Sequence, residues 1–298
     1  MVVYMMLNTY NDEIIQIMSQ YSRFMPYFDS IFQASSKLYE KGYSYSAGNE
    51  LFLALEKISL LTSTYSDEEF ELREEKIELC LEQTNKNLNE FEGPLEYFIS
   101  SELRYVKSKD VLETYIDEKD SPSIKIHAPS LLTRSDLWCS SALMMSENIE
   151  YSDYEEEKLI EFVEMKLLKY SGNLSSTLTT ARKYYSQGYY GASLNEIISY
   201  EATIYECQDF KFEYNWPKMM YNHAIYLKNS TRYGEGSYDE ISNIACSFER
   251  NLIQYNSHDF EEPELVEEDE NIFISVVLIV FIFILFILSI IYYLLKKW

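Results

Sequence analysis

The chain has 298 residues and a formal net charge of −24, from 49 acidic against 25 basic side chains. Such a surface repels phosphate backbones and anionic lipid headgroups, which argues against nucleic-acid binding and against flat adhesion to a membrane. With only 8 glycines and 6 prolines, the composition favours long helices over a loop-rich all-β fold. We therefore predict an all-α fold, a helical bundle.

The N-terminal part of the chain reads as successive helices. Ser66 and Glu69 have the spacing of a capping box, in which each side chain satisfies a backbone N–H at the start of a helix. The long charged helix that follows is predicted to end at Gly93 and Pro94. A second amphipathic pattern comes after it. These elements predict an N-terminal helical module over residues 1–116.

Pro122 and Pro129 mark the best internal boundary. Proline interrupts helices, so the interval 117–129 is predicted to be a linker. Beyond it a C-terminal helical module is predicted over residues 130–256. Its helical patterns lie near 130–148, 153–171, 174–187, 190–208, 217–229 and 237–255.

Two stretches share one pattern, a helix that ends at a glycine flanked by tyrosines and a second helix that begins with small residues. The candidate turns are Gly42 with Ala47, and Gly188 with Ala192. Glycine permits the turn and the small residues let two helices approach closely. Such a helical hairpin is typical of tetratricopeptide-type repeats. No regular repeat period fills the interval between them, so we predict two related hairpins within one bundle.

A C-terminal membrane anchor is predicted from Ile272 to Leu295. This run, IFISVVLIVFIFILFILSIIYYLL, is uncharged, and at about 1.5 Å per residue it is long enough to cross a roughly 30 Å hydrocarbon core. Tyr292 and Tyr293 occupy the place of an interfacial aromatic belt. An acidic juxtamembrane linker is predicted over 257–271, between the helical module and the span 272–295.

The residues after the span predict its orientation. Lys296, Lys297 and Trp298 close the chain, and basic flanks favour the cytoplasmic side, which would place the large domain outside the cytoplasm. The N-terminus, MVVYMMLNTYNDE, does not have the basic and apolar regions of a signal peptide. A cytoplasmic domain, or a true start further upstream, therefore remains an alternative.

No metal, cofactor or catalytic group is predicted. The histidines, His127, His223 and His258, and the cysteines, Cys80, Cys139, Cys207 and Cys246, show no metal-ligand spacing. Two disulfides are possible if the domain is external, but single buried thiols are predicted. Hydrolase, zincin and nucleotide-binding motifs do not occur, so we predict that the chain is not an enzyme.

An aromatic cluster at a predicted helix start is the candidate interaction rim. It consists of Phe212, Tyr214 and Trp216, next to Pro217. Aromatic side chains with a polar end are enriched at binding surfaces. The alternative interpretation is a packed corner between helices.

Several motifs together resemble the helical region of archaeal Lon-like membrane proteases. They are YEKGYSYSAGNELFLALEKI, SLLTRSDLWCSSALMMSENI, ARKYYSQGYYGASLNEIISYEATIY and the C-terminal span, so the resemblance covers residues 30–298. It implies an external helical domain behind an exported serine–lysine protease domain. This chain departs from that pattern, because the stretch before residue 30 leaves no room for the protease domain and no catalytic serine or lysine can be matched.

Three functions follow as hypotheses. The first is a non-catalytic, membrane-anchored helical module that binds a protein partner. The second is an accessory fragment or split partner of a Lon-like membrane protease. The third is a structural protein of the cell envelope. All three expect a single-pass membrane protein without a nucleic-acid partner.

Overall fold

The computed structural model describes residues 25–61, 67–119, 121–147, 153–207, 210–228 and 236–257. Within these ranges the chain forms ten α-helices and no strand, which confirms the predicted all-α class. The helices are α1 Met25–Glu40, α2 Ser44–Leu61, α3 Asp67–Asn89, α4 Leu95–Glu118, α5 Pro122–Ser146, α6 Glu156–Lys169, α7 Ser176–Ser186, α8 Tyr190–Ile204, α9 Asn215–Lys228 and α10 Gly236–Ser257.

Helix α4 is the centre of the bundle. It packs along α5, and it also contacts α3 and α8, while α5 contacts α2. Phe98 and Ile99 of α4 lie in one apolar cluster with Phe162, Ile197 and Phe248, all of them buried. Burying such a side chain contributes about 1.5–3 kcal/mol. The core therefore joins helices from both predicted modules, and the division into 1–116 and 130–256 does not follow the packing.

The interval 117–129 differs from the predicted linker. Helix α5 begins at Pro122 and continues through Pro129. A proline suits the first helical position, because the N–H that it lacks would have no partner inside the helix. Pro129 costs the helix a backbone hydrogen bond. The packing of α5 outweighs that cost, since Leu132, Leu137 and neighbouring side chains are almost completely buried.

The two predicted hairpins share one turn geometry. Gly42 lies between α1 and α2 and Gly188 between α7 and α8, with φ of 82° and 83°. In both turns two nested backbone hydrogen bonds close the end of the first helix, which is the Schellman motif. The bonds are Gly42 N–H to Tyr39 O (2.9 Å) with Tyr43 N–H to Leu38 O (2.9 Å), and Gly188 N–H to Tyr185 O (3.0 Å) with Tyr189 N–H to Tyr184 O (2.9 Å).

A serine joins the two helices of each hairpin. Ser35 Oγ donates to the Ala47 carbonyl at 2.8 Å, and Ser193 Oγ donates to the Ala181 carbonyl at 2.9 Å. The two pairs stand at corresponding places in the hairpins, with serine and alanine exchanged between the helices. Ala47 and Ala192 are completely buried. Small side chains at these positions allow the close approach that the serine bond requires.

Two buried glutamates of α4 hold the starts of two other helices. Glu102 accepts the Ala192 N–H of α8 at 2.9 Å, and Glu96 accepts the Trp216 N–H of α9 at 3.0 Å. The first N–H groups of a helix have no partner within it, and they carry partial positive charge. Burial raises the pKa of Glu102 to about 8, against the N–H groups that lower it. Helix α4 thus fixes both helices from inside the core.

The four cysteines are paired. Cys80 of α3 is bonded to Cys139 of α5, and Cys207 is bonded to Cys246 of α10, with Cα separations of 6.1 and 5.6 Å. The prediction of single buried thiols is therefore wrong, and the alternative of two disulfides is correct. The partners are 59 and 39 residues apart in sequence. Only the folded chain brings them within bonding distance.

The predicted membrane anchor lies outside the described residues. This applies to the span 272–295 with Ile272, Tyr292, Tyr293 and Leu295, to Lys296, Lys297 and Trp298, and to the acidic linker after Ser257. Ser66 of the capping box lies outside them too. Among the helices that the structure does describe, none is both long and apolar enough to cross a membrane.

The Gly188→Ala substitution is expected to destabilise the fold. An alanine Cβ at this position would meet no atom within 4 Å, so the cost comes from φ of +83° alone. That cost is about 1–2 kcal/mol of unfolding free energy. Denaturant titration of the full chain measures it, with the neighbouring exposed Gln187→Ala as control. Equal stability of the two variants would contradict the turn geometry.

Thiol labelling tests the disulfides. The chain, isolated without a reductant and unfolded in the presence of a thiol reagent, is expected to take up the reagent only after reduction. Each disulfide closes a long loop and, in the chain-entropy treatment, stabilises the fold by about 4 kcal/mol. The single Cys139→Ser variant should expose one thiol, and the double Cys80→Ser, Cys139→Ser variant none. Uptake by the unreduced natural chain would contradict the pairing.

Candidate ligand-binding cavity

A cavity of about 430 Å³ lies where helices α2, α4, α5 and α9 meet. Four of its ten lining residues are aromatic and two are arginines, and the remaining four are small, aliphatic or uncharged polar residues. The lining residues are Tyr45, Gly48, Asn49, Phe52, Leu53, Arg104, Arg134, Trp138, Ser141 and Trp216. The volume falls within the range of about 300–1,000 Å³ that is typical of small-ligand pockets.

Helix α2 supplies one wall. Tyr45, Asn49 and Phe52 are spaced so that they share one face of this helix. Gly48, which is buried between them, adds no side chain and keeps that part of the wall open. The same helix is held in place by the Gly42 turn that precedes it. The first hairpin therefore positions this side of the cavity.

Helix α5 supplies the facing wall. Arg134, Trp138 and Ser141 follow the same helical spacing, so they also share a face. The Trp138 ring packs against Phe52 of α2, with 4.9 Å between ring centroids. Ser141 is buried, and its hydroxyl donates to the Trp138 carbonyl at 2.9 Å. Arg134 is exposed at the edge.

Arg104 of α4 extends between two indole rings. Its guanidinium carbon lies 5.1 Å from the Trp216 ring centroid and 5.8 Å from that of Trp138. One guanidinium nitrogen donates to the Ser100 carbonyl at 2.7 Å. Cation–π contact of this kind orients the group and is worth about 0.5–2 kcal/mol. A fixed positive charge thus lines a cavity with aromatic walls.

Trp216 closes the cavity on the side of α9. Its ring stands edge-on to Tyr45 at 5.4 Å, and its backbone N–H is the group bound by Glu96. Burial raises the pKa of the Glu96 carboxyl to about 7. The N–H groups bound to Glu96 lower this pKa, and the charges of Asp153 and Glu249 raise it further. The second oxygen of Glu96 is buried without a hydrogen-bond partner among the described residues.

The charge of the lining is opposite to that of the chain. Two of the lining residues are arginines and none is acidic, although the whole chain carries a net charge of −24. A guanidinium stays protonated at all physiological pH values and offers its donors in a planar fork. The arrangement is therefore suited to an apolar group that carries a negative charge.

The three residues of the predicted interaction rim lie in different environments. Trp216 is buried and lines the cavity. Phe212 lies instead against Tyr221, at 5.0 Å between ring centroids. Tyr214 accepts a hydrogen bond from Asn256 of α10. The structure therefore places one of the three residues at the cavity and gives the other two the packing role of the alternative interpretation.

The turn residues of the hairpins do not line the cavity. Gly42, Ala47, Gly188 and Ala192 are not among the lining residues. Their effect on the site is indirect. Gly42 and Ala47 place α2, while the Ala192 N–H donates to the Glu102 carboxyl group and ties α8 to α4.

Residues that the sequence analysis did not single out form most of the site. Arg134 and Trp138 stand four residues apart on α5, and Tyr45, Asn49 and Phe52 share a face of α2. Both spacings are visible in the sequence. The contribution of Arg104 is not, because only the packing of α4 against α5 and α9 brings it between the indoles.

A buried serine–histidine contact lies behind the Tyr45 wall. Ser46 Oγ and His223 Nδ1 are 2.9 Å apart. Ser46 is completely buried and His223 nearly so. Burial lowers the pKa of His223 to about 4, so its ring is neutral at physiological pH. A hydroxyl without access to solvent cannot reach a substrate, and the pair packs α2 against α9.

Potential metal ligands do not converge in the part of the chain that the structure describes, where no group of three His, Cys, Asp or Glu side chains could hold an ion. His127 is exposed on α5. His258 lies outside the described residues.

No protein-family model matches this chain, and comparisons with curated proteins and with solved structures give no match. The resemblance to Lon-like proteases therefore stays a prediction.

The Glu96→Gln substitution tests the buried carboxylate behind Trp216. The folded chain raises this pKa from 4.5 to about 7, so it binds the proton more tightly than the unfolded chain does. The contribution of this carboxyl to the stability is then largest at acid pH and is lost as the pH rises from about 4.5 through 7. Between pH 5 and 8 the variant should lose less unfolding free energy than the natural chain, by up to about 3 kcal/mol.

Denaturant titrations at pH 5, 6, 7 and 8 measure this difference. Glu92→Gln is the control, because it makes the same substitution at an exposed position on the loop before α4. Equal slopes for Glu96→Gln and the natural chain would contradict the role of this carboxylate.

Proposed function

We propose that this chain is a non-catalytic, membrane-anchored interaction module, which binds a protein partner through the cavity between α2, α4, α5 and α9. The observation that carries the proposal is the charge reversal at the cavity, where two arginines and aromatic rings line a concavity in a strongly acidic chain. Aromatic and arginine side chains in well-packed pockets dominate the energetics of protein interfaces.

The hairpin architecture supports this function. The α1–α2 and α7–α8 hairpins share the glycine turn and the serine contact between helices, and we take them as tetratricopeptide-like units. In such arrays helical hairpins present a concave surface to a partner. Here the first hairpin contributes Tyr45, Asn49 and Phe52 to the cavity wall. The first hairpin therefore belongs both to the scaffold and to the wall of the proposed binding site.

We propose further that the helical domain lies outside the cytoplasm, held by a single C-terminal span over 272–295. Disulfides persist in oxidising compartments and are rare in the cytosol. The Cys80–Cys139 and Cys207–Cys246 pairs therefore support the orientation that Lys296 and Lys297 predict. The partner is expected to face the same compartment.

Site-specific photocrosslinking in intact cells tests the interaction. A photoreactive residue in place of Leu53, in the cavity wall, is expected to give a discrete protein adduct. The same residue in place of Leu168, which is 58% exposed on α6, is the control and should not give it. The adduct should disappear when Arg134 is replaced by glutamine. Identical adducts from both positions, or none from Leu53, would overturn the proposal.

A further inference from the structure

We propose that the cavity recognises a planar aromatic group with a carboxylate close beside it, the combination found at a peptide that ends in an aromatic residue. This inference rests on the proposed function and names the chemistry that its cavity would bind. It follows from the shape of the walls, the kind of charge that they carry and the net charge of the chain around them.

The walls favour a flat apolar group. Tyr45, Phe52, Trp138 and Trp216 enclose the cavity from three helices, and their rings already meet in tilted and edge-on pairs. Another aromatic ring can add to such a cluster in the same geometries, at about 0.5–1.5 kcal/mol per pair beyond the area that it buries. An aliphatic chain would gain the burial without this directional contribution.

The arginines favour a carboxylate. Arg104 is held between the two indoles, and Arg134 lies at the exposed edge of the same cavity. A planar guanidinium matches a planar carboxylate through paired N–H···O bonds. Because the Arg104 guanidinium lies beside two indole rings, a ligand bound there must place its ring and its carboxylate within one residue of each other. A C-terminal aromatic residue meets this requirement.

The charge of the chain limits how much negative charge the ligand carries. A net charge of −24 disfavours the approach of polyanions, whose repulsion grows with each added charge. A phosphate group would meet that repulsion and would gain nothing from the aromatic walls. A single carboxylate on an apolar body meets the least repulsion and gains the burial.

The size of the cavity fits the same ligand. A volume of about 430 Å³ lies near the lower end of the range for small-ligand pockets, about 300–1,000 Å³. It suits one terminal residue and part of the next, and it is too small for a helix laid lengthwise. The recognised group is therefore the end of a chain or a free aromatic acid.

The test is isothermal titration of the full chain in detergent micelles with matched probes. The probes are acetyl-Gly-Gly-Phe, its C-terminal amide, acetyl-Gly-Gly-Gly and phenylacetate. Acetyl-Gly-Gly-Phe is expected to bind at least about ten-fold more tightly than its amide, the factor that a lost charge-assisted hydrogen bond brings. Acetyl-Gly-Gly-Gly, which keeps the carboxylate and has no ring, should bind more weakly as well.

Two variants test whether the tighter binding of the acid depends on the cavity. Arg134→Gln should weaken the acid about ten-fold and leave the amide unchanged. Arg250→Gln is the control, because Arg250 also lies over an aromatic ring, that of Tyr205 at 4.7 Å, but on α10 and outside the lining. It should bind both probes as the natural chain does. Circular dichroism of each variant confirms that it is folded.

The outcomes separate this inference from the proposed function. Equal binding of acid and amide, an equal loss of both in Arg134→Gln, or no binding of any probe overturns the inference. Tighter binding of the peptide than of phenylacetate supports it with a chain end as the source, and the reverse supports it with a free aromatic acid. Carboxylate-dependent binding without a protein crosslink keeps the inference and overturns the proposed protein partner.

Discussion

Two buried carboxyl groups of the central helix bind the starts of two other helices. Glu96 and Glu102 of α4 accept the N–H groups of Trp216 and Ala192, in the first turns of α9 and α8. A helix start buried without such a partner would leave its N–H groups unsatisfied at a cost of about 1–3 kcal/mol each. The central helix thus sets the position of both later helices through hydrogen bonds as well as through apolar packing.

The cavity depends on this arrangement. Trp216 forms one wall because Glu96 holds the start of α9. Arg104 of α4 reaches between Trp138 of α5 and Trp216 of α9 because these helices meet at the cavity. The burial that secures the helix start also raises the pKa of the Glu96 carboxyl into the physiological range. The Glu96 side chain therefore links the position of Trp216 to a protonation equilibrium in the physiological pH range.

The same glycine turn orients a cavity helix in one hairpin and a core helix in the other. Around Gly42 it orients α2, whose Tyr45 and Phe52 line the cavity. Around Gly188 it orients α8, whose Ile197 and Ile198 are buried in the core. The serine that ties each pair of helices comes from the first helix in one hairpin and from the second in the other. The backbone geometry is thus kept while the side chains differ.

The sequence by itself determined the helical class, the helix boundaries near Gly42, Gly93 and Gly188, and the place of the turns, because these depend on local periodicity and on backbone conformations that glycine favours. Only the tertiary structure decided the rest. It paired the distant cysteines, carried α5 through Pro129 and brought Arg104 between two indoles. Each of these depends on contacts between residues far apart in the chain, whose energies outweigh the local preferences and leave no regular spacing in the sequence.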